Sequence, residues 1–154
     1  MTGPARVLIV ANRTAATEQL LEAVRRRASA GPAEFHLLVP ATPRGLHRVV
    51  DPEDAGREEA TQQLELALGR LQEATGMEVT GHVGDPDPAA AISDTVHNSQ
   101  VDELIISTLP RRLSRWMHLD LPHKIALLGL PVTHVEAKRA PDEAETVSSG
   151  EAVA

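Results

Sequence analysis

Four cations close together, Arg111, Arg112, Arg115 and Lys124, stand out in a chain whose formal charge is -7. Guanidinium groups clustered in this way can clamp a phosphate or carboxylate through charge-assisted, bidentate hydrogen bonds. On a solvated loop and helix face the same run pairs with surface acids and serves solubility, the commoner meaning of surface charge. The sequence alone favours that second reading. Nearby, His118, Asp120 and His123 offer two imidazoles and a carboxylate, a set suited to a divalent metal. Their spacing sets the two rings on different sides of a helix, and Pro122 interrupts it, so a partly exposed polar loop is the stronger reading. Ser107, Thr108 and Ser114 are hydroxyls without a His/Asp partner at recognisable spacing. The Gly-x-Ser-x-Gly elbow, the Walker loop and the Gly-x-Gly-x2-Gly fingerprint are all absent. With no cysteine, thiolate chemistry, disulfides and zinc ribbons are excluded. Trp116, the sole indole, reads as packing for the irregular loop, with cover for the apolar base of a binding crevice or a subunit contact as the alternatives. His36, His47, His82, His97 and His134 are scattered and read as ordinary strand or surface residues.

These residues need elements to position them. Val7-Leu8-Ile9-Val10 is apolar on both faces, as a strand covered on both sides must be. Thr14 can cap a helix with the stripe Leu20, Leu21, Val24 and Ala28, which Gly31-Pro32 ends. Phe35 to Val39 is a second strand, closed by Pro40, and Ala41 to Val50 is a loop. Asp51-Pro52 starts a helix whose stripe is Ala60, Leu64, Ala67, Leu68 and Leu71, stopped by Gly76. Met77 to Val83 is a third strand. A helix follows Gly84-Asp85-Pro86-Asp87-Pro88 with Ala89, Ile92 and Val96 inward. Leu104-Ile105-Ile106 centres a fourth strand. A helical stretch through Ile125 and Leu128 leads to a fifth, Pro131 to Val135. Strands alternating with helices over short connections define an α/β fold, a parallel sheet wound on both faces.

At 154 residues the chain suits one domain, over 1–138, and the acidic stretch 139–154 reads as a disordered tail. Four of the 22 acids, Asp142, Glu143, Glu145 and Glu151, lie from Ala140 onward, leaving 18 against 15 bases in the rest of the chain. One Phe, one Trp and no Tyr cannot build a base-stacking platform, and a pI near 5.4 opposes a phosphate-tracking surface. Both argue against nucleic-acid binding. The run Val7 to Ala11 is short for a signal sequence, and Ile125 to Leu130 is far short of a membrane span. The expectation is a cytoplasmic protein without membrane contact.

Two stretches carry a resemblance. VGDPDPAAAISDTVHNSQVDELIIST, from Val83 to Thr108, resembles the third-to-fourth-strand unit of the universal stress protein family. LPRRLSRWMHLDLPHKIALLGLPVTHV, from Leu109 to Val135, resembles its following loop, final helix and final strand, and VLIVANRTAAT its first strand and turn. The similarity spans roughly residues 5 to 136. It implies a doubly wound five-stranded parallel sheet in order 3-2-1-4-5, dimeric through the last strand, here Pro131, Val132, Thr133, His134 and Val135. It also implies a crevice where strand order reverses. In this chain the crevice positions are Asn12, Arg13, Val39, Ser107, Thr108, Arg111 and Arg112.

Family members that bind ATP use a Gly-x2-Gly-x9-Gly-Ser/Thr loop whose bare amides approach the phosphates. Here Ser107, Pro110, Asp120 and Leu121 occupy those four positions. Proline has no N–H to give, and Asp120 sets a carboxylate against phosphate oxygens. The family's first-strand Asp-Gly is Asn12-Arg13, which places a long cation at the rim. The expectation is a binding or regulatory module with a degenerate ATP motif, and not an enzyme. One alternative binds a nucleotide or phosphate anion through the arginines, with Arg13 joining them across the crevice. The other is a small phosphate-transferring or hydrolysing enzyme of the adenine-nucleotide α/β group.

Overall fold

The chain runs β1 (Ala5–Val10), α1 (Glu18–Ala30), β2 (Ala33–Pro40), α2 (Pro52–Thr75), β3 (Val79–Gly84), α3 (Pro88–Asn98), β4 (Glu103–Thr108), α4 (Leu121–Ala126) and β5 (Val132–Glu136). The computed structural model describes residues 3–11, 14–41, 52–108 and 121–136. Val7, Leu8, Ile9 and Val10 are each at most 1% exposed. A strand without a polar face belongs in the middle of a sheet clad on both sides. β1 accordingly pairs in parallel with β2 (Val7 beside Phe35) and with β4 (Val7 beside Glu103). β3 adds outside β2 and β5 outside β4, giving the order β3-β2-β1-β4-β5 that the resemblance implied.

Alternation along the strands splits the core into two layers. Val7, Ile9, Phe35, Leu37 and Ile105 pack on one face with Leu20, Leu21 and Val24 of α1 and Ala60, Ala67 and Leu71 of α2. Leu8, Val10, Leu38, Leu104 and Ile106 pack on the other with Ala91 and Ile92 of α3 and Ile125 of α4. The stripes read from the sequence are therefore the buried faces of their helices. α2 begins at Pro52, which needs no amide partner in the first turn. Gly76, at φ 68°, ends it in a left-handed turn, with its amide donating to the Gln72 carbonyl at 2.8 Å. Gly81 lets α2 lie close on β3: a Cβ there would stand 2.6 Å from Leu64 Cδ1 and 2.8 Å from the Leu37 carbonyl oxygen. At the head of α3, Asp87 Oδ1 accepts from the Ala89 amide at 3.1 Å.

One local expectation is corrected. The N-cap of α1 is Thr17, not Thr14, and the Thr17 side chain takes no cap bond. Its hydroxyl donates instead to the Thr14 carbonyl at 3.0 Å. Thr14 is drawn away by a tertiary contact, described below. β5 also differs from an ordinary apolar strand: Val132 is 42% exposed, and among its residues Val135 alone packs against the core. It pairs with β4 on one side only. The loop expected over 42–50, the helix-start residue Asp51 and the tail 139–154 lie outside the described residues.

Candidate functional site: the crevice at the strand-order reversal

β1 and β4 are neighbours, yet the chain leaves them in opposite directions across the sheet, so their carboxyl ends open a crevice. A single turn builds its floor. Thr14 is 2% exposed, and its hydroxyl donates 3.1 Å to the carbonyl of Ser107, ninety-three residues away. That bond ties the β1 turn to the end of β4. The Thr17 amide donates back to the Thr14 carbonyl at 3.2 Å, and the Leu21 amide to the Thr17 carbonyl at 3.0 Å. The first turn of α1 thus starts at the crevice, where its dipole favours negative charge.

Two hydroxyls from β4 complete the floor. Ser107 points to the α1 face, is 1% exposed, and its Oγ has no hydrogen-bond partner among the described residues. Burying an unpaired hydroxyl is unfavourable by about 1–3 kcal/mol on mutational scales, so this atom is an oddity that calls for a reason. Thr108 faces the other way, is 2% exposed, and lies 2.8 Å from Nε2 of the exposed His134 on β5. With Nε2 bare, the hydroxyl donates to the imidazole. Among the described residues the dyad has no third group to orient the ring, and by itself it gives no activated nucleophile.

Of the remaining crevice positions, Val39 is fully buried, its side chain part of the α1/α2 core. Asn12, Arg13, Arg111 and Arg112 lie outside the described residues, as do Arg115, Ser114, Trp116, His118 and Asp120. Lys124 and His123 are exposed on α4, and Lys124 lines a groove with Asp87 and Ser93 of the α3 amino end. Among the described residues no group of three or more His, Asp or Glu side chains could hold a metal. The structure therefore joins Thr14 to the Ser107 carbonyl and Thr108 to His134, two pairs whose β4 side chains face opposite sides of the sheet.

Sequence reasoning missed one constellation. His36 on β2 and His82 on β3 touch, Nε2 to Nδ1 at 2.7 Å, on the α3 face of the sheet. Burial pushes both imidazoles below their ordinary value, and for His36 the neighbouring His82 ring lowers it further. The signal was the parity of the two histidines within their strands. It becomes a contact only through the parallel register, in which Leu38 sits beside His82.

The arrangement defines the universal stress protein fold: one five-stranded parallel sheet, order 3-2-1-4-5, with a crevice at the reversal. Solved universal stress proteins share it. The chain superposes on a family protein from Burkholderia pseudomallei with TM-score 0.62 and 18% identity, covering 86% of this chain and 96% of that one. An Arabidopsis thaliana family protein with AMP bound gives 0.60 and 17%, covering 91% and 95%. The Archaeoglobus fulgidus protein in complex with dAMP gives 0.59 and 16%, covering 88% and 100%. No protein-family model matches the sequence, and no curated protein does. Among the described residues no helix is long and apolar enough to cross a membrane.

Proposed function

We propose that this chain is a cytoplasmic universal-stress-protein-like binding or regulatory module, not an enzyme, whose crevice has lost the ATP motif. The observation that carries the reading is the floor at Ser107. A side chain stands where ATP-binding members of the family are expected to have a bare glycine, and it fills buried space beside the Thr14 turn. Three positions on, Pro110 offers no amide, and Asp120 brings a negative charge to the third glycine position. These residues do not fit the phosphates of ATP. Losing one or two charge-assisted bonds weakens a micromolar site by about 1.5–3 kcal/mol each, toward the millimolar range.

A second reading has its own support. The unpaired Ser107 Oγ is a free donor at the crevice floor. Together with the rim positions that the family resemblance implies for Arg13, Arg111 and Arg112, it would suit a smaller phosphate-bearing ligand, and neighbours of this fold have been solved with AMP and dAMP. For assembly, the one-sided pairing of β5 and the exposure of Val132 support a two-fold dimer through that edge. Native mass spectrometry of freshly purified protein separates the readings. The module reading expects a dimer mass with nothing added. A retained nucleotide mass that disappears in an Arg111→Ala/Arg112→Ala variant would establish the arginine-clamp reading instead.

A further inference from the structure

We propose that His36 and His82 form a two-histidine site for a borderline divalent transition-metal ion such as Zn²⁺ or Ni²⁺. The site is distinct from the crevice: it lies on the α3 face, between β2 and β3. His36 also lines a cavity of about 190 Å³ near the amino ends of β1 and β2.

Four side chains form one hydrogen-bonded line, and its direction can be worked out. The Thr95 hydroxyl donates to the Ala91 carbonyl at 2.9 Å, so toward His82 it can only accept. The proton of His82 therefore sits on Nε2, 3.5 Å from Thr95 Oγ1, and Nδ1 is bare. That bare nitrogen accepts from His36 Nε2–H at 2.7 Å, and His36 Nδ1 in turn accepts from the Thr80 hydroxyl at 2.7 Å. Both rings are neutral in this line, the form that ligates metal.

An ion between the inner nitrogens takes the place of the hydrogen bond once the two rings part and turn. Metal–nitrogen bonds of about 2.05 Å at a tetrahedral angle need nitrogens about 3.3 Å apart and ring centroids about 5.2 Å apart. The observed centroid separation is 4.9 Å, with the ring planes 38° from parallel. With the nitrogens 2.7 Å apart, that separation sets the rings nearly end to end, so the nitrogens must part by about 0.6 Å and each ring must turn by roughly 20–35° to meet an ion at the tetrahedral angle, a rotation that the broad χ2 well of histidine admits. His36 exchanges one tautomer for the other: the proton on Nε2 is lost and one is taken up on Nδ1, which then donates to Thr80 Oγ1. No net proton is released. Each ligating ring then has its outer N–H on a threonine hydroxyl, the kind of supporting bond that orients metal-bound histidine. Water completes the coordination from the solvent side, since His36 and His82 are both only partly buried. Imidazole donors without carboxylate select zinc, nickel or copper over magnesium and calcium.

The test is calorimetric titration of the metal-free full chain with Zn²⁺ and Ni²⁺, with Mg²⁺ as control. The proposal expects one micromolar transition-metal site per chain, no Mg²⁺ binding, and the same apparent heat in buffers of different ionisation enthalpy. His36→Gln and His82→Asn should each weaken the site at least about tenfold, and Thr95→Val by a smaller factor, with far-UV circular dichroism unchanged. Imidazole ¹⁵N spectra of the wild type should shift at Nε2 of His36 and Nδ1 of His82, a readout that needs no variant to fold. Absence of zinc binding, binding that survives both histidine variants, or shifts confined to other histidines would each overturn the proposal.

Discussion

Removing the Ser107 hydroxyl should stabilise the protein. Ser107 Oγ is buried without a partner among the described residues, and Ser107→Ala deletes only that atom. An unpaired buried hydroxyl is unfavourable by about 1–3 kcal/mol relative to an apolar group in protein mutational data. Deleting it leaves a void of roughly 15–20 Å³, which at about 24 cal/mol per Å³ returns only some 0.4–0.5 kcal/mol. The net expectation is a gain of about 1 kcal/mol, worth about 3 °C in Tm for a domain of this size. Thr14 keeps its bond in the variant because it uses the Ser107 backbone carbonyl. Urea denaturation followed by circular dichroism measures the gain as a shift in midpoint at unchanged slope. A loss of more than about 0.5 kcal/mol would refute the reasoning, since it would mean that the hydroxyl has a partner, a water or a retained ligand, in solution. The contrast variant is Thr14→Val, which keeps the shape but removes the donor. It should lose about 1–2 kcal/mol as the β1 turn and β4 lose their tie.

Three further outcomes follow from the packing. Gly81→Ala should destabilise the fold by about 1–3 kcal/mol, because its Cβ meets the Leu37 carbonyl, which cannot move aside as Leu64 can; a neutral urea midpoint would contradict the close approach of α2 to β3. For the metal-free protein, the folded pKa values of His36 and His82 lie below those of the unfolded chain. The unfolded state then binds more protons as pH falls through its own histidine range near 6.5. Stability is full above that range and falls below it, and His36→Gln should flatten the fall in a pH series of melts. Val132→Lys should convert a sedimenting dimer to monomer without changing the circular dichroism spectrum, and a wild type that sediments as monomer at micromolar concentration would remove the edge-pairing argument.

Most of the architecture was legible because burial is written in residue type. Val7 to Val10 has no polar face, so it had to be central, and the stripes of α1 and α2 named the core before any coordinates did. Pro52, Asp87 and Gly76 marked ends by backbone chemistry that works locally. What escaped depended on distant partners. Thr14 and Thr17 are equally good caps by type, and the choice was made by the Ser107 carbonyl, which no local pattern reveals. His36 and His82 met because β2 and β3 align Leu38 with His82, a register set by packing against α2 and α3. Of the candidate site, the hydroxyls of Ser107 and Thr108 were found from the resemblance. The absence of a partner for Ser107 could come only from its surroundings.

The central claim is that this crevice does not hold ATP, and calorimetric titration of the purified wild-type protein with ATP and Mg²⁺ tests it most directly. The account predicts no resolvable heat at micromolar nucleotide, with any affinity near millimolar and no rescue by Mg²⁺. Micromolar ATP binding that is lost in Arg111→Ala/Arg112→Ala would contradict it, and would show that the arginines replace the amides that the glycine positions no longer provide.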